Sequence, residues 1–273
     1  MPLQKKPGIV LAPYGTLFPS ALATYDQIKN AYEHEFPGSP VRLAFTSQLM
    51  IAKLKEKEGT SVQSLPVALA ELHDLGCRRV VVQSLQIVPG GEFHKVAALV
   101  QAMRAMKAVP GRAGMQDFRL ETGLPLLSDL QDCRMVSSIL PSWDPVKEAM
   151  LLVGHGTGHP ADALYSLMSQ VLKREHKNVF LGTMEGFAGL VELLPELKGC
   201  GVRVVRLIPF LLVAGGHAEN DIAGRAPKSW KSILEREGYE VVADMQSLGE
   251  RAEIVSLFLK HTKNALEKME SRK

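Results

Sequence analysis

The chain has few cysteines, no long apolar run and little excess of charge of either sign. Each shortage removes a class of protein. Cys77, Cys133 and Cys200 lie far apart, with no CxxC or CxxH spacing among them. A scattered odd set argues against a disulfide scaffold or a thiolate zinc site, and reads as reduced thiols acting as small buried hydrophobes. Net charge is only +3 and no run of Lys and Arg stands out, so nucleic acid is not an expected partner. The apolar run at residues 9–12, which follows a polar start, is far too short for a signal-peptide core or a membrane span. A cytoplasmic protein with no membrane partner is therefore expected. Also missing are GxGxxG, the GxxxxGK phosphate loop and the GxSxG elbow, so no dinucleotide, ATP or serine-hydrolase signature is present.

What remains is an ordinary folded composition, 46% hydrophobic and 22% charged over 273 residues, enough for two domains with cores that need no staples. Short apolar runs alternate with segments of helical period. Strands are expected at residues 9–12, 41–45 and 80–88, and helices at 20–36 and 64–75. In the last of these helices Ser64 is the N-cap, Pro66 lies in the first turn and Gly76 is the stop. The order then repeats, with strands at 150–153, 179–181 and 202–213. Fourth strands are expected near 118–121 and 241–243, and a last helix over 251–266. Strands joined by helices imply right-handed βαβ units and parallel sheets.

The repeat is close at two places. LAPYGT lies over LVGHGT, which sets Tyr14 opposite His155. The step from Gly76 to Gly90 and Gly91 equals that from Gly201 to Gly215 and Gly216, which sets Glu92 opposite His217. Thr46 pairs with Thr183 and Gln48 with Glu185. The expected architecture is α/β, with two flavodoxin-like halves related by a pseudo-two-fold axis. One half is 1–140 and the other 141–273, joined by a linker within 137–145 and ending in the C-terminal helix. Strand order 2-1-3-4 is expected in each.

His155, Glu185 and His217 each follow a strand of the second half and each stands beside glycine. In an open parallel sheet such strand ends face one crevice, where ligands bind. Two imidazoles and a carboxylate form a borderline N/O set that suits Co, Fe, Ni or Zn better than Mg or Ca. Three protein ligands leave open positions, as catalytic metal sites do. Glu92, matched to His217, reads equally as a proton acceptor or extra ligand in the same cleft and as a charge favoured at a helix start. His94 is a weaker candidate of the same kind. His159 is a bystander, because Pro160 and the glycines before it break the helix that an i, i+4 pair with His155 would need. His34, His73, His176 and His261 read as surface residues.

At this point LVGHGT, GTMEG and LLVAGGHAENDI resemble the class II chelatases. VVVQSLQIVPGGEFH resembles the anaerobic sirohydrochlorin cobalt chelatases among them. The likeness runs over residues 8–259. It implies two flavodoxin-like halves, no ATP and no organic cofactor. It also implies insertion of Co(II) as substrate metal into sirohydrochlorin or precorrin-2 on the oxygen-independent route to cobalamin. By resemblance His155, Glu185 and His217 hold the metal, and His155, His217 and Glu92 are catalytic. Pro13 and Tyr14 depart from the small residues of the family's first loop. Lys95, Arg225 and Lys228 are candidates for the ring's carboxylates, and a homo-oligomer is compatible with the pattern. The rivals are iron insertion for sirohaem, a hydrolase using the same site to activate water, and a two-lobed metal carrier without catalysis.

Overall fold

The computed structural model describes residues 6–59, 61–105 and 118–271. The chain divides into two compact units, Met1–Leu126 with Val255–Lys273, and Leu127–Ile254. In the first, β1 (Gly8–Ala12), α1 (Pro19–Glu35), β2 (Val41–Phe45), α2 (Gln48–Glu58), β3 (Gln63–Ser64), α3 (Leu65–Asp74), β4 (Arg79–Ser84), α4 (Gly91–Ala105) and β5 (Arg119–Gly123) follow in turn. All five strands are parallel, in the order β3-β2-β1-β4-β5. In the second, α5 (Leu130–Ser138), β6 (Glu148–Gly154), α6 (Ala163–Glu175), β7 (Val179–Thr183), α7 (Leu190–Gly199), β8 (Val204–Phe210), α8 (Trp230–Arg236) and β9 (Glu240–Ala243) give a parallel sheet in the order β7-β6-β8-β9. The final helix is α9 (Ala252–Ser271). Among the described residues no helix is long and apolar enough to cross a membrane.

The central strands explain the architecture. Every residue of β1 and of β6 is buried, as a parallel strand covered on both faces requires. Val10, Val82, Leu69, Leu72 and Phe118 share one core. Leu151, Val153, Leu193, Leu207 and Trp230 share another. The expected order 2-1-3-4 is present in both sheets, and the two-residue β3 extends the first at its edge. Each unit also repeats one local device. Tyr25 of α1 and Tyr165 of α6 are buried and hydrogen-bond to the backbone of Gly15 and Gly156, the glycines just past β1 and β6. Burial raises both phenol pKa values, so both stay neutral.

Four expectations are corrected. β4 and β8 stop at Ser84 and Phe210, short of residues 88 and 213, because the apolar residues beyond them pack as loop. The division between units falls at Leu126 and Leu127 rather than after residue 140, and from Val255 onward the last helix belongs with the first unit rather than the second. A buried hydrogen-bond chain is the physical reason. The Tyr32 hydroxyl donates to Thr262 Oγ1 (3.0 Å), Thr262 donates to Gln83 Oε1 (2.8 Å), and Gln83 donates to the Leu124 carbonyl (2.7 Å). His261, expected at the surface, is 5% exposed with Nδ1 3.1 Å from that same carbonyl. The helices α2, α5 and α8 have no counterpart among the elements expected from sequence. Their starts are fixed by Ser47, Asp129 and Ser229, whose side chains accept from Met50, Asp132 and Ser232 N–H.

Thr262→Val keeps the shape and leaves Tyr32 and Gln83 without their common partner. Urea unfolding should show a loss of about 1–3 kcal/mol, the range for stranded buried polar groups. A variant as stable as the parent would show that the chain does not tie α9 to its unit.

Candidate metal centre

The site grows from the ends of two neighbouring strands in the second unit. Gly154 pairs with Thr183 at the last step of the β6–β7 ladder. The pairing then continues past both strands. Met184 N–H donates to Gly154 O (3.0 Å) and Glu185 N–H donates to His155 O (2.8 Å). His155 and Glu185 are thus set side by side by backbone bonds. Gly156 follows with φ +78°, and a Cβ there would lie 2.3 Å from the Gly186 nitrogen. A Cβ on Gly186 would meet Thr183 Oγ1 at 2.3 Å and Asp162 Oδ1 at 2.5 Å. Both positions must be glycine for the two loops to lie in contact.

His217 arrives by a different route. Beyond β8 the chain bends through residues 211–213 and enters a π-helical turn over His217–Ile222. Ala223 N–H reaches back to Ala218 O at 3.1 Å, the five-residue step of such a turn. Single π turns of this kind occur often at functional sites. The turn aligns His217 with Asp221, and Nδ1 lies 2.7 Å from Asp221 Oδ2. The imidazoles of His155 and His217 meet edge to face, with centroids 4.8 Å apart and planes at 89°.

These contacts fix which ring nitrogens remain available. The partner of His217 Nδ1 is a carboxylate and that of His155 Nδ1 is the Gly156 carbonyl, at 3.1 Å. Ionised carboxylates and carbonyls only accept, so in the neutral rings each Nδ1 carries the proton and each Nε2 keeps its lone pair. That is the arrangement of metal-ligating histidines, whose other nitrogen donates to an oxygen. Glu185 Oε2 stands 3.7 Å from His155 Nδ1. The side chains of His155, Glu185 and His217 are 40%, 62% and 53% exposed, so the site is open to solvent. Among the described residues no three His, Cys, Asp or Glu side chains are drawn together as a finished ligand set.

The remaining candidates lie as follows. Glu92 is in the first turn of α4, where a carboxylate is favoured by the helix dipole. It accepts from Thr46 Oγ1 (3.1 Å) and from Lys95 Nζ (2.5 Å). That hydrogen bond and the carboxylate's charge raise the Lys95 pKa. Lys95 is therefore already paired with Glu92, while Arg225 and Lys228 are exposed. His94 lies against the Phe93 ring. His159 caps a short turn, its Nδ1 accepting from Ala161 N–H at 3.1 Å. Tyr14 is 45% exposed at the loop matched to His155. Three further residues at the site, Asp221, Asp162 and Phe187, are not singled out by the sequence motifs. Asp221 could have been found from its i, i+4 spacing to His217. Asp162 bridges two loops distant in sequence, and no local pattern announces it. Phe187, two residues past Glu185, is 85% exposed, and exposure of a single aromatic is not visible in sequence.

With that geometry in place, comparison with known proteins is informative. The family model described as cobalt chelatase (CbiK) matches residues 7–267. The sirohydrochlorin cobaltochelatase CbiKC of Nitratidesulfovibrio vulgaris is 34% identical over 268 residues, covering 96% of this chain and 90% of that protein. The sirohydrochlorin cobaltochelatase of Salmonella typhimurium is 31% identical over 226 residues, 82% of each chain. Among solved structures, SirB from Bacillus subtilis with Fe3+ has a TM-score of 0.66 at 15% identity, covering 97% of this chain and 98% of that one. The sirohydrochlorin chelatase SirB of Bacillus subtilis subspecies spizizenii in complex with cobalt gives 0.65 at 14%, with 97% coverage of both. At such identity these two structures speak for the fold.

Gly156→Ala should cost about 1–3 kcal/mol through its backbone conformation alone, and more through the clash with Gly186. Gly158→Ala, where an added Cβ meets nothing within 4 Å, is the control. Thermal unfolding with divalent-metal titration should show both stability and affinity reduced in the first variant and neither in the second. Equal behaviour of the two would remove the loop contact from the account.

Proposed function

The chain belongs to the cobalt chelatase (CbiK) family, and on that premise we propose that it is a sirohydrochlorin cobaltochelatase, with the metal received on His155, Glu185 and His217. Co(II) enters the macrocycle and two pyrrole N–H protons leave, so charge and atoms balance without ATP. The observation that carries the site is the pair of imidazoles 4.8 Å apart whose Nδ1 atoms both face acceptors. Both Nε2 lone pairs are thereby left for one ion.

The openness of the site suits a metal that is substrate. A closed four-ligand cage would hold the ion against transfer, whereas two imidazoles and a mobile carboxylate leave positions for ring nitrogens. Glu185, whose Oε2 stands 3.7 Å from His155 Nδ1, would complete the set by rotation of its exposed side chain. We assign proton removal to His155 and His217, whose Nε2 atoms become basic again as the ion passes to the ring, and to Glu92, the last by family resemblance and its matched position. Phe187 offers the flat ring an apolar surface beside Glu185. A donor set of this kind also takes Fe, Ni and Zn. The choice of cobalt follows the family. We place the reaction in the cytoplasm because Cys77, Cys133 and Cys200 are thiols rather than disulfides.

Metallation is followed by the absorbance change of sirohydrochlorin with Co(II), Fe(II) and Ni(II) in parallel. The proposal expects enzyme-dependent turnover with Co(II), and none above background would refute it. His217→Ala should keep its circular dichroism and lose nearly all turnover. Glu92→Gln should lose roughly a hundredfold in rate, the range for a general base, with Co(II) affinity little changed. If affinity falls with rate, Glu92 is a ligand. If neither moves, it is a helix-start charge.

A further inference from the structure

Asp162 stands at the entrance to α6, in the position from which an aspartate ordinarily caps its own helix. It makes no side-chain capping bond to that helix. Its carboxylate is turned instead to two other loops. Oδ1 accepts from Thr157 N–H at 3.0 Å and Oδ2 accepts from Phe187 N–H at 2.9 Å. Thr157 is two residues beyond His155, and Phe187 is two residues beyond Glu185. One side chain thus holds both loops that carry proposed ligands, one oxygen to each.

The surrounding residues are arranged to permit this. Gly186 has no Cβ, and one would lie 2.5 Å and 2.8 Å from the two Asp162 oxygens. Gly156 presses against Gly186 from the other side. The backbone ladder joins the loops only as far as Glu185 N–H and His155 O. Past that point the Asp162 carboxylate links them. A hydrogen bond from backbone N–H to a carboxylate is charge-assisted and stronger than a neutral one, and here two converge on one group.

We propose that Asp162 is a positioning residue for metal binding. Its carboxylate clamps the His155 and Glu185 loops together and so sets the distance between those two donors. It touches neither metal nor tetrapyrrole. The inference rests on the proposed ligand set. It also accounts for Phe187 being held by its backbone while its side chain remains 85% exposed.

The test uses the full chain, with Co(II) alone as probe. Dissociation constants come from titration calorimetry and donor geometry from the Co(II) visible bands. Asp162→Ala removes both acceptors, and Asp162→Asn keeps one oxygen but turns an N–H donor toward the second loop. Leu172→Ala, in the buried core of the same unit, lowers stability without touching the loops. The proposal expects Asp162→Ala to weaken Co(II) binding roughly 10–100-fold, as loss of a hydrogen-bond partner that orients metal ligands does, with altered visible bands. Asp162→Asn should recover part of the loss, and Leu172→Ala should bind as the parent does. Three results would overturn it: parental affinity and bands in Asp162→Ala, no recovery in Asp162→Asn, or the same weakening in Leu172→Ala. Parent protein that shows no imidazole-bound Co(II) would instead refute the ligand set itself.

Discussion

Gly156 and Gly186 lie backbone against backbone, and there is no room for a side chain on either. That contact sets the separation of the loops after β6 and β7, and the placement of His155 and Glu185 depends on it. Tyr165 holds the Gly156 backbone from α6, and Asp162 receives an N–H from each loop. The buried strands beneath supply the rigidity. β6 is flanked by β7 and β8, and Gly154 is level with Thr183 and Phe210 at their ends. Loops that carry the proposed ligands are therefore held by a close-packed floor, which is how surface connections come to present fixed geometry.

The duplicated frame has been put to different uses in the two units. The buried tyrosine and the left-handed glycine recur, as Tyr25 with Gly15 and Tyr165 with Gly156. The side chain before that glycine is Tyr14 in one unit and His155 in the other. After the glycine pair, the first unit runs at once into the long helix α4, with Glu92 in its opening turn and bonded to Thr46 and Lys95. The second runs into a short π turn that brings Asp221 beneath His217. Helix hydrogen bonding commits the first connection to structure, whereas the wider turn leaves an imidazole exposed with one nitrogen already engaged.

Much of this was legible in the residues. Continuous apolar runs of four to seven residues, bounded by glycine and proline, mark buried parallel strands whatever surrounds them, and the matched glycine spacings revealed the repeat. His155, Glu185 and His217 could be named as candidates because strand ends in such sheets share an edge, and the structure places His155 beside both of the others. The strand ends at 84 and 210 were less visible, since loop residues that pack inward are as apolar as strand residues. The place of α9 depends on Thr262 meeting Tyr32 and Gln83, three residues with no local pattern in common. The amphipathic pattern showed that the helix has a buried face but not what the face meets. Asp162 was hidden for a similar reason, since an aspartate before a helix ordinarily looks like a cap.

On the reading proposed here, the interlocked loops of the second unit and the π turn beside them supply two imidazoles and a carboxylate to one ion. X-ray absorption at the cobalt edge on the protein loaded with one equivalent of Co(II), without tetrapyrrole, tests that most directly. Scattering from two imidazoles together with oxygen ligands is expected, one imidazole being lost in His155→Ala and the other in His217→Ala. An oxygen-only shell, or an imidazole signal untouched by both substitutions, would contradict it.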